Sequence, residues 1–385
     1  MALYIDLHVL QSVPFANLNR DDLGTPKTVR YGNADRIRVS SQSWKREIRH
    51  EVEERLNEYA KRTRLVPVKV RQALEETGWP EELALFAGEQ VARSAGKEGL
   101  KTEEGGKTSV LLYLPQSGIG ELVALCQEHR QALETAANKI ASAKDAKART
   151  KAASEAVLPK DLVNAVLKAR TATIDLFGRM LAELPGGKVD GAVQVAHAFT
   201  VHGADPQRDF FTAVDDWLPE DETGSGHMQT GEFSTGTFYR YATLNATDLL
   251  KNLGQDRDRA KELVTLFIDA YLMSIPQAKK NSTAPHTLPD LAYYAVRDRR
   301  PISFAAAFEQ PVRPLAGGFS EAARQELLTY ASAVQRLTGG NGRLTHGYVS
   351  IDDKPLEGLG ARHESFDDFT EAPVTTAFEA PEGAR

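Results

Sequence analysis

The stretch Arg36-Ile37-Arg38-Val39-Ser40-Ser41-Gln42-Ser43-Trp44-Lys45-Arg46-Glu47-Ile48-Arg49 is a basic, strand-like run that turns into a helix at its serines. Trp44, Ile48, Val52 and Leu56 recur every four residues and predict an apolar stripe along that helix. Gln42, Lys45 and Arg49 fall on one flank of the stripe, Glu47, Glu51 and Glu54 on the other. A serine-rich helix start offers backbone N–H groups, hydroxyls and the positive end of the helix dipole. Lysine and arginine beside it make a phosphate site. The bland alternative is a helix edge with solvated bases. Upstream, Leu18-Asn19-Arg20-Asp21-Asp22 and then Lys27, Arg30, Arg36 and Arg38 bring more basic groups toward the same point.

The rest of the chain bounds the function. Its 385 residues are 41% hydrophobic and 26% charged, ordinary for a globular protein. No apolar run approaches the length needed to span a bilayer. The start, Met1 to Leu10, lacks a secretory signal's basic region and predicts a first strand with Leu3, Ile5, Leu7 and Val9 on one face. A cytoplasmic protein is expected. The single cysteine, Cys126, excludes a disulfide framework and a cysteine-based zinc site, and reads as a buried helix residue. Net charge is −6, yet residues 20–49 carry eight bases against four acids. Residues from 350 onward carry nine acids against three bases, so the acidic end alone matches the net charge. That distribution suits binding of nucleic acid along one path, with an acidic terminus left solvated.

Residues 1–56 read as strand, loop, strand and helix. Residues 57–172 are rich in Ala, Glu and Lys and read as a helical insertion, with stretches such as Thr135–Lys144 and Leu162–Leu176 and a glycine-rich loop at Gly96–Gly106. Val193, Val195, His197, Phe199 and Val201 alternate like one buried strand, which makes His197 a core histidine. Asp209–Trp217 and Glu232–Tyr241 read as arms of a long hairpin around an acidic, glycine-rich tip, Pro219–Gly231. Helices are expected at about 246–273 and 320–337, a strand near 346–351, and a polar loop at Pro276–Pro289.

Several candidate chemistries fail on spacing. Gly105-Gly106-Lys107-Thr108 lacks the first glycine of a P-loop, since Lys101 stands there. His197 and His202 lie five apart, so on a strand they face opposite ways and share no ion. Asp21-Asp22 is the sharper case, because a carboxylate beside a phosphate path can hold a divalent ion for phosphodiester cleavage. The competing role is pairing with arginine, of this chain or of a neighbouring copy. No metal, cofactor or catalytic residue is assigned.

"NLNRDD", "RIRVSSQSWKR", "LFGRMLAE", "VQVAHAFTVH", "DFFTAVDDW", "GEFSTGTFYRYA" and "AFEQPV" occur in this order over about residues 1–350. In these segments the chain resembles the CasC-type backbone subunits of the type I-E CRISPR surveillance complex, Cascade. The resemblance implies an α+β, hand-shaped architecture. A ferredoxin-like, RRM-like palm would comprise 1–56, 173–204 and 241–350, with helical fingers at 57–172, a β-hairpin thumb at 205–240 and an acidic tail at 351–385. The aromatic signature of a free-standing RRM is absent, so RNA should be held by its backbone. The implied role is non-catalytic, sequence-independent binding of guide RNA, with copies of the chain stacked as a helical backbone. The implied partners are further copies, other Cascade subunits and, through the guide, target DNA. Arg20, Lys27, Arg38, Gln42, Lys45, Arg46 and Arg49 would meet phosphates. By position in the family's motifs, Met180 and Phe211, with Thr212 beside it, would wedge a kinked guide, although either apolar residue alone reads first as core. Lys279 and Lys280 fall where the family has a basic patch. The alternative is a metal-dependent ribonuclease on the same fold, using Asp21 or Asp22.

Overall fold

The computed structural model describes residues 2–214, 217 and 225–379. The chain forms two compact units, one of Met1–Val52 with Ala192–Arg385, the other of Glu53–Gly191. The first is built on a mixed α/β plan around a large sheet. Its strands are β1 (Tyr4–Ala16), β2 (Thr28–Tyr31) and β3 (Ala34–Val39) in the N-terminal part. The second unit supplies β4 (Ala60–Thr63) and β5 (Leu112–Pro115), a separate pair. The first unit resumes with β6 (Val193–Val195), β7 (Ala198–Thr200), β8 (Gln207–Val214) and β9 (Ser225–Asn245), then β10 (Leu291–Arg297), β11 (Arg343–Ser350) and β12 (Ala361–Arg362). The sheet order is β12-β11-β10-β1-β9-β7-β3-β2, with β6 and β8 also paired to β9.

β1 lies antiparallel between β10 and β9, and from Ile5 to Gln11 every residue is buried. The expected one-faced alternation is therefore incomplete, because the sheet is covered on both sides. The polar face finds most of its partners inside the fold, with His8 Nε2 buried and without a hydrogen bond. Asp6 pairs with Arg297 at 2.8 Å and accepts from Tyr241 Oη and the Ile302 amide. His8 Nδ1 lies 2.9 Å from Tyr239 Oη, and its ring stacks on Phe304. One side of the sheet packs on a core that includes Phe304, Phe308, Leu327 and Tyr348.

The helix over Ser41–Leu56 forms as its stripe requires, with Trp44, Ile48 and Val52 buried. The Arg240 guanidinium on β9 lies 3.9 Å from the Trp44 ring and 4.6 Å from the Tyr271 ring. It donates to Gln11 Oε1 at 2.6 Å and to the Tyr271 carbonyl. Burial lowers its pKa to about 10. This cation–π sandwich ties the basic helix and the helix Arg257–Met273 to the sheet.

Three expectations change here. The run 189–202 is two short strands, β6 and β7, because the alternation breaks at Ala196 and His197. Ala198, Thr200 and His202 are buried there, and His197 is exposed. The hairpin is present but its arms are β8 and the first part of β9, with Gln207 opposite Phe233 and Val214 opposite Ser225. Ser225–Gly231 is thus strand, Phe233–Tyr241 continues into the main sheet, and Pro219–Gly224 lies outside the described residues. The acidic terminus is not simply solvated, since Phe366–Phe378 is a helix that buries Phe369, Val374, Ala377 and Phe378.

The second unit is helical apart from its strand pair. Its core includes Val70, Leu74, Ala87, Leu114, Leu122, Cys126, Leu133 and Leu167. Burial pushes the Cys126 thiol up to about 12, which makes it inert. Residues 173–191 pack with this unit, so the boundary falls later than the composition change near 172. Lys107-Thr108 leads into β5, not a helix, and the Thr108 hydroxyl bonds the carbonyls of Arg64 and Val110, which removes the P-loop reading.

Candidate nucleic-acid interface

The loop between β1 and β2 organises the candidate site in the first unit. Asn17 Nδ2 donates to the carbonyls of Gly24 at 3.0 Å and Glu232 at 2.8 Å. Asn19 Oδ1 accepts from the Ser40 amide at 2.9 Å, and its carbonyl accepts from Lys27. One loop is therefore pinned at one end to the base of the β8–β9 hairpin and at the other to the start of the basic helix. Asp21 closes the turn, with Oδ1 accepting from the amides of Leu23 and Thr25 at 2.9 Å. That carboxylate serves its own backbone and not Arg20. Asp22 is exposed beside it. Among the described residues no three of His, Cys, Asp and Glu come together as a metal site.

At the hairpin end lies an open groove of about 410 Å³. Arg20, Phe211 and Lys279, three positions far apart in sequence, line it together with Arg208, Gly231 and Phe233. Arg20 and Lys279 are exposed and project charge, and Phe211 is 41% exposed. The Phe211 ring passes over Gly231, 3.6 Å from where a Cβ would stand, an ordinary contact distance. Arg208 pairs with Glu232 at 3.3 Å, an exposed contact of little strength. Lys279 sits at φ +58 just before the short helix Lys280–Thr283, and Lys280 is exposed beside it. Thr212 is opposite Met228 in the hairpin register.

At the helix end, Lys27, Arg38 and His197 gather around the first turn. His197 Nδ1 accepts from the Ser41 amide at 2.9 Å and lies 3.5 Å from Arg38 Nη1. Burial and then the charges of Arg38 and Lys27 lower the His197 pKa, which keeps Nδ1 free to accept. Ser40 Oγ accepts from the Ser43 amide. Two N–H groups expected to be open are thus taken, and the positive character of this end rests on side chains and the dipole. Gln42 is exposed and Lys45 half-buried, with burial lowering the Lys45 pKa. Arg46 is exposed and pairs with Glu47 at 2.8 Å, and Arg49 is half-buried and engaged. Arg36 does not belong to the patch. It is fully buried and donates to the carbonyls of Tyr31, Thr200, Phe308 and Glu309.

Met180 lies in the second unit and is 85% exposed, against the core reading its type suggests. It sits on a turn closed by a two-way bridge between Arg179 and Val189. Sequence reasoning missed Arg208 and His197. Arg208 was visible as the base two residues before Phe210-Phe211. His197 was hidden by an alternation that ran on past a break in the strand.

The family model for CT1975-like proteins matches residues 5–372. The chain belongs to this family. It is also similar to two chains of solved structures. One, described as "CRISPR RNA-guided surveillance complex, pre-nicking", is 45% identical, with a TM-score of 0.88 and coverage of 97% of this chain and 100% of that one. The other, described as "CRISPR RNA-guided surveillance complex", is 40% identical, with a TM-score of 0.78 and coverage of 97% and 99%. No curated protein matches. This CT1975-like chain therefore shares the fold of surveillance-complex subunits over nearly its whole length. Among its described residues no helix is long and apolar enough to cross a membrane.

Proposed function

We propose that this chain binds CRISPR guide RNA, independently of sequence, as the repeated backbone subunit of a type I-E Cascade complex in the cytoplasm. The observation that carries the reading is the groove in which Arg20, Phe211 and Lys279 meet. Two cations and a half-exposed aromatic ring suit a single strand, whose phosphates and base faces carry no fixed sequence. The pinned loop continues the basic surface from the groove to Lys27, Arg38 and the helix start. Base pairing then reads the target while protein holds the backbone. The full-length similarity to surveillance-complex chains supports the same role.

In this account the large sheet is the RRM-like palm, the helical unit the fingers and the β8–β9 hairpin the thumb. Met180 and Phe211 set kinks, and the thumb of one copy reaches the next, a heterologous contact that builds a helical filament on RNA. Other subunits cap the filament, and target DNA joins through the guide. The subunit is non-catalytic in this account, and the engagement of Asp21 Oδ1 by two amides of its own turn supports that reading. The test is fluorescence anisotropy with several single-stranded RNAs of unrelated sequence. Affinities should agree within about threefold and share one salt slope, because phosphate contacts carry no base information. Binding restricted to one sequence would overturn the proposal.

A further inference from the structure

We propose that Arg179 is the positioning residue of Met180: its guanidinium gathers carbonyls from three separate segments and so holds the turn that presents Met180 to the guide. The inference rests on the guide-RNA reading only for what Met180 meets. The holding itself is a property of the helical unit.

The two neighbours invert their usual places. Arg179, the charged one, is 4% exposed, and Met180, the apolar one, is 85% exposed. Arg179 Nε donates to the Gly187 carbonyl at 3.0 Å. Its Nη1 donates to Tyr113 at 3.0 Å and Ala169 at 2.8 Å, and its Nη2 to Lys168 at 2.7 Å. These acceptors belong to β5, to the end of the helix Lys160–Lys168 and to the far side of the Met180 turn. A planar fork of five donors suits that task, and a lysine ammonium does not. Burial lowers the guanidinium pKa, and Asp175 opposes the shift. The carbonyl dipoles replace the water that the group has lost.

The backbone agrees. The Arg179 amide donates to the Val189 carbonyl at 2.8 Å, and the Val189 amide returns the bond at 2.9 Å. On either side the chain passes so close that only glycine fits. Gly178 has φ +79, and a Cβ there would meet the Gly191 amide at 2.6 Å. A Cβ on Gly191 would meet the Phe177 carbonyl carbon at 2.6 Å. After Met180, Leu181 and Leu184 return to the core. Nothing in this packing needs the methionine. A wedge must insert between bases, and on a loose turn it would lose ordering entropy at each insertion. A turn fixed beforehand avoids that cost.

The test uses the full-length chain as wild type, R179K, R179A and M180A. Amide hydrogen exchange is followed over residues 172–191. Single-stranded RNAs carrying 2-aminopurine at successive positions report unstacked bases. R179A should speed exchange at residues 178–189 about tenfold or more, with β1, β9 and β10 unchanged. R179K should fall between, and M180A should match wild type. The Met180-dependent rise in 2-aminopurine fluorescence should drop in R179A to the M180A level and recover in part in R179K. Wild-type exchange in the turn together with wild-type fluorescence in R179A overturns the proposal. If R179A fails to fold, R179K decides, and unchanged exchange in that variant overturns it equally. If M180A leaves fluorescence unchanged, the wedge reading falls, and the exchange data still decide whether Arg179 holds the turn.

Discussion

Replacing Arg20 and Lys279 together with alanine tests the groove as a phosphate site. Both side chains are exposed, neither packs in a core, and they reach one groove from segments far apart in the sequence. The fold should tolerate their loss. On a single strand each phosphate contact contributes about 0.7 to the salt slope, so the double variant should lose roughly 1.4. At 0.1 M salt that amounts to about fivefold in affinity per contact, or about 25-fold and ~1.9 kcal/mol for the pair. At 0.4 M salt the same contacts are worth only about 3.6-fold together. Anisotropy titrations of a labelled RNA across this salt range give both numbers. A folded variant with an unchanged slope, or a loss independent of salt, would refute the argument that these side chains meet phosphates.

Excising residues 209–231 and joining Arg208 to Glu232, directly opposite in the hairpin, through a two-residue turn should leave the sheet folded. Cooperative coating of long RNA should vanish while weak single-copy binding persists, as native gel titration would reveal. Guide-bound protein given a complementary strand and Mg²⁺ or Mn²⁺ should leave that strand uncut on a denaturing gel. Asp21→Ala should instead weaken RNA binding a few-fold by releasing two amides of the loop, and regularly spaced cuts that disappear in that variant would restore the nuclease reading. Burial raises Asp175 from 3.8 to about 6, against the opposing charge of Arg170. The native state therefore holds a proton between those pH values that the unfolded chain releases. This group's contribution is fully present below about pH 4 and declines as pH rises through 6, by at most ~3 kcal/mol. Urea midpoints should show D175N gaining on wild type from pH 4.5 to 7.5, and an equal difference at both pH values would contradict this.

The basic helix of the candidate site was legible because its signals are local. The four-residue spacing of Trp44, Ile48 and Val52 is a helix property, and the structure buries those residues together. Arg20 was visible as a base in a loop rich in bases, whereas Phe211 and Lys279 were singled out only by their place in the family's motifs, since Phe211 alone reads as core and Lys279 as an ordinary loop lysine. Their meeting in one groove was not visible, because sheet order and not sequence distance brings their segments together. Arg36 looked like a patch residue because its neighbours are basic. Only the fold reveals four carbonyls converging on it. His197 was misplaced because period-two alternation does not reveal a break between two three-residue strands. The C-terminal helix was hidden by its acids, although Phe366, Phe369, Pro373 and Val374 already had helical spacing.

The most direct test of the central claim is to isolate the chain from cells that carry a CRISPR array and to sequence the nucleic acid bound to it. The account predicts RNA of one narrow length, with variable guide segments joined to constant repeat-derived ends and several copies of the chain on each molecule. Protein free of RNA, or bound to random cellular RNA of every length while the array is transcribed, would contradict it.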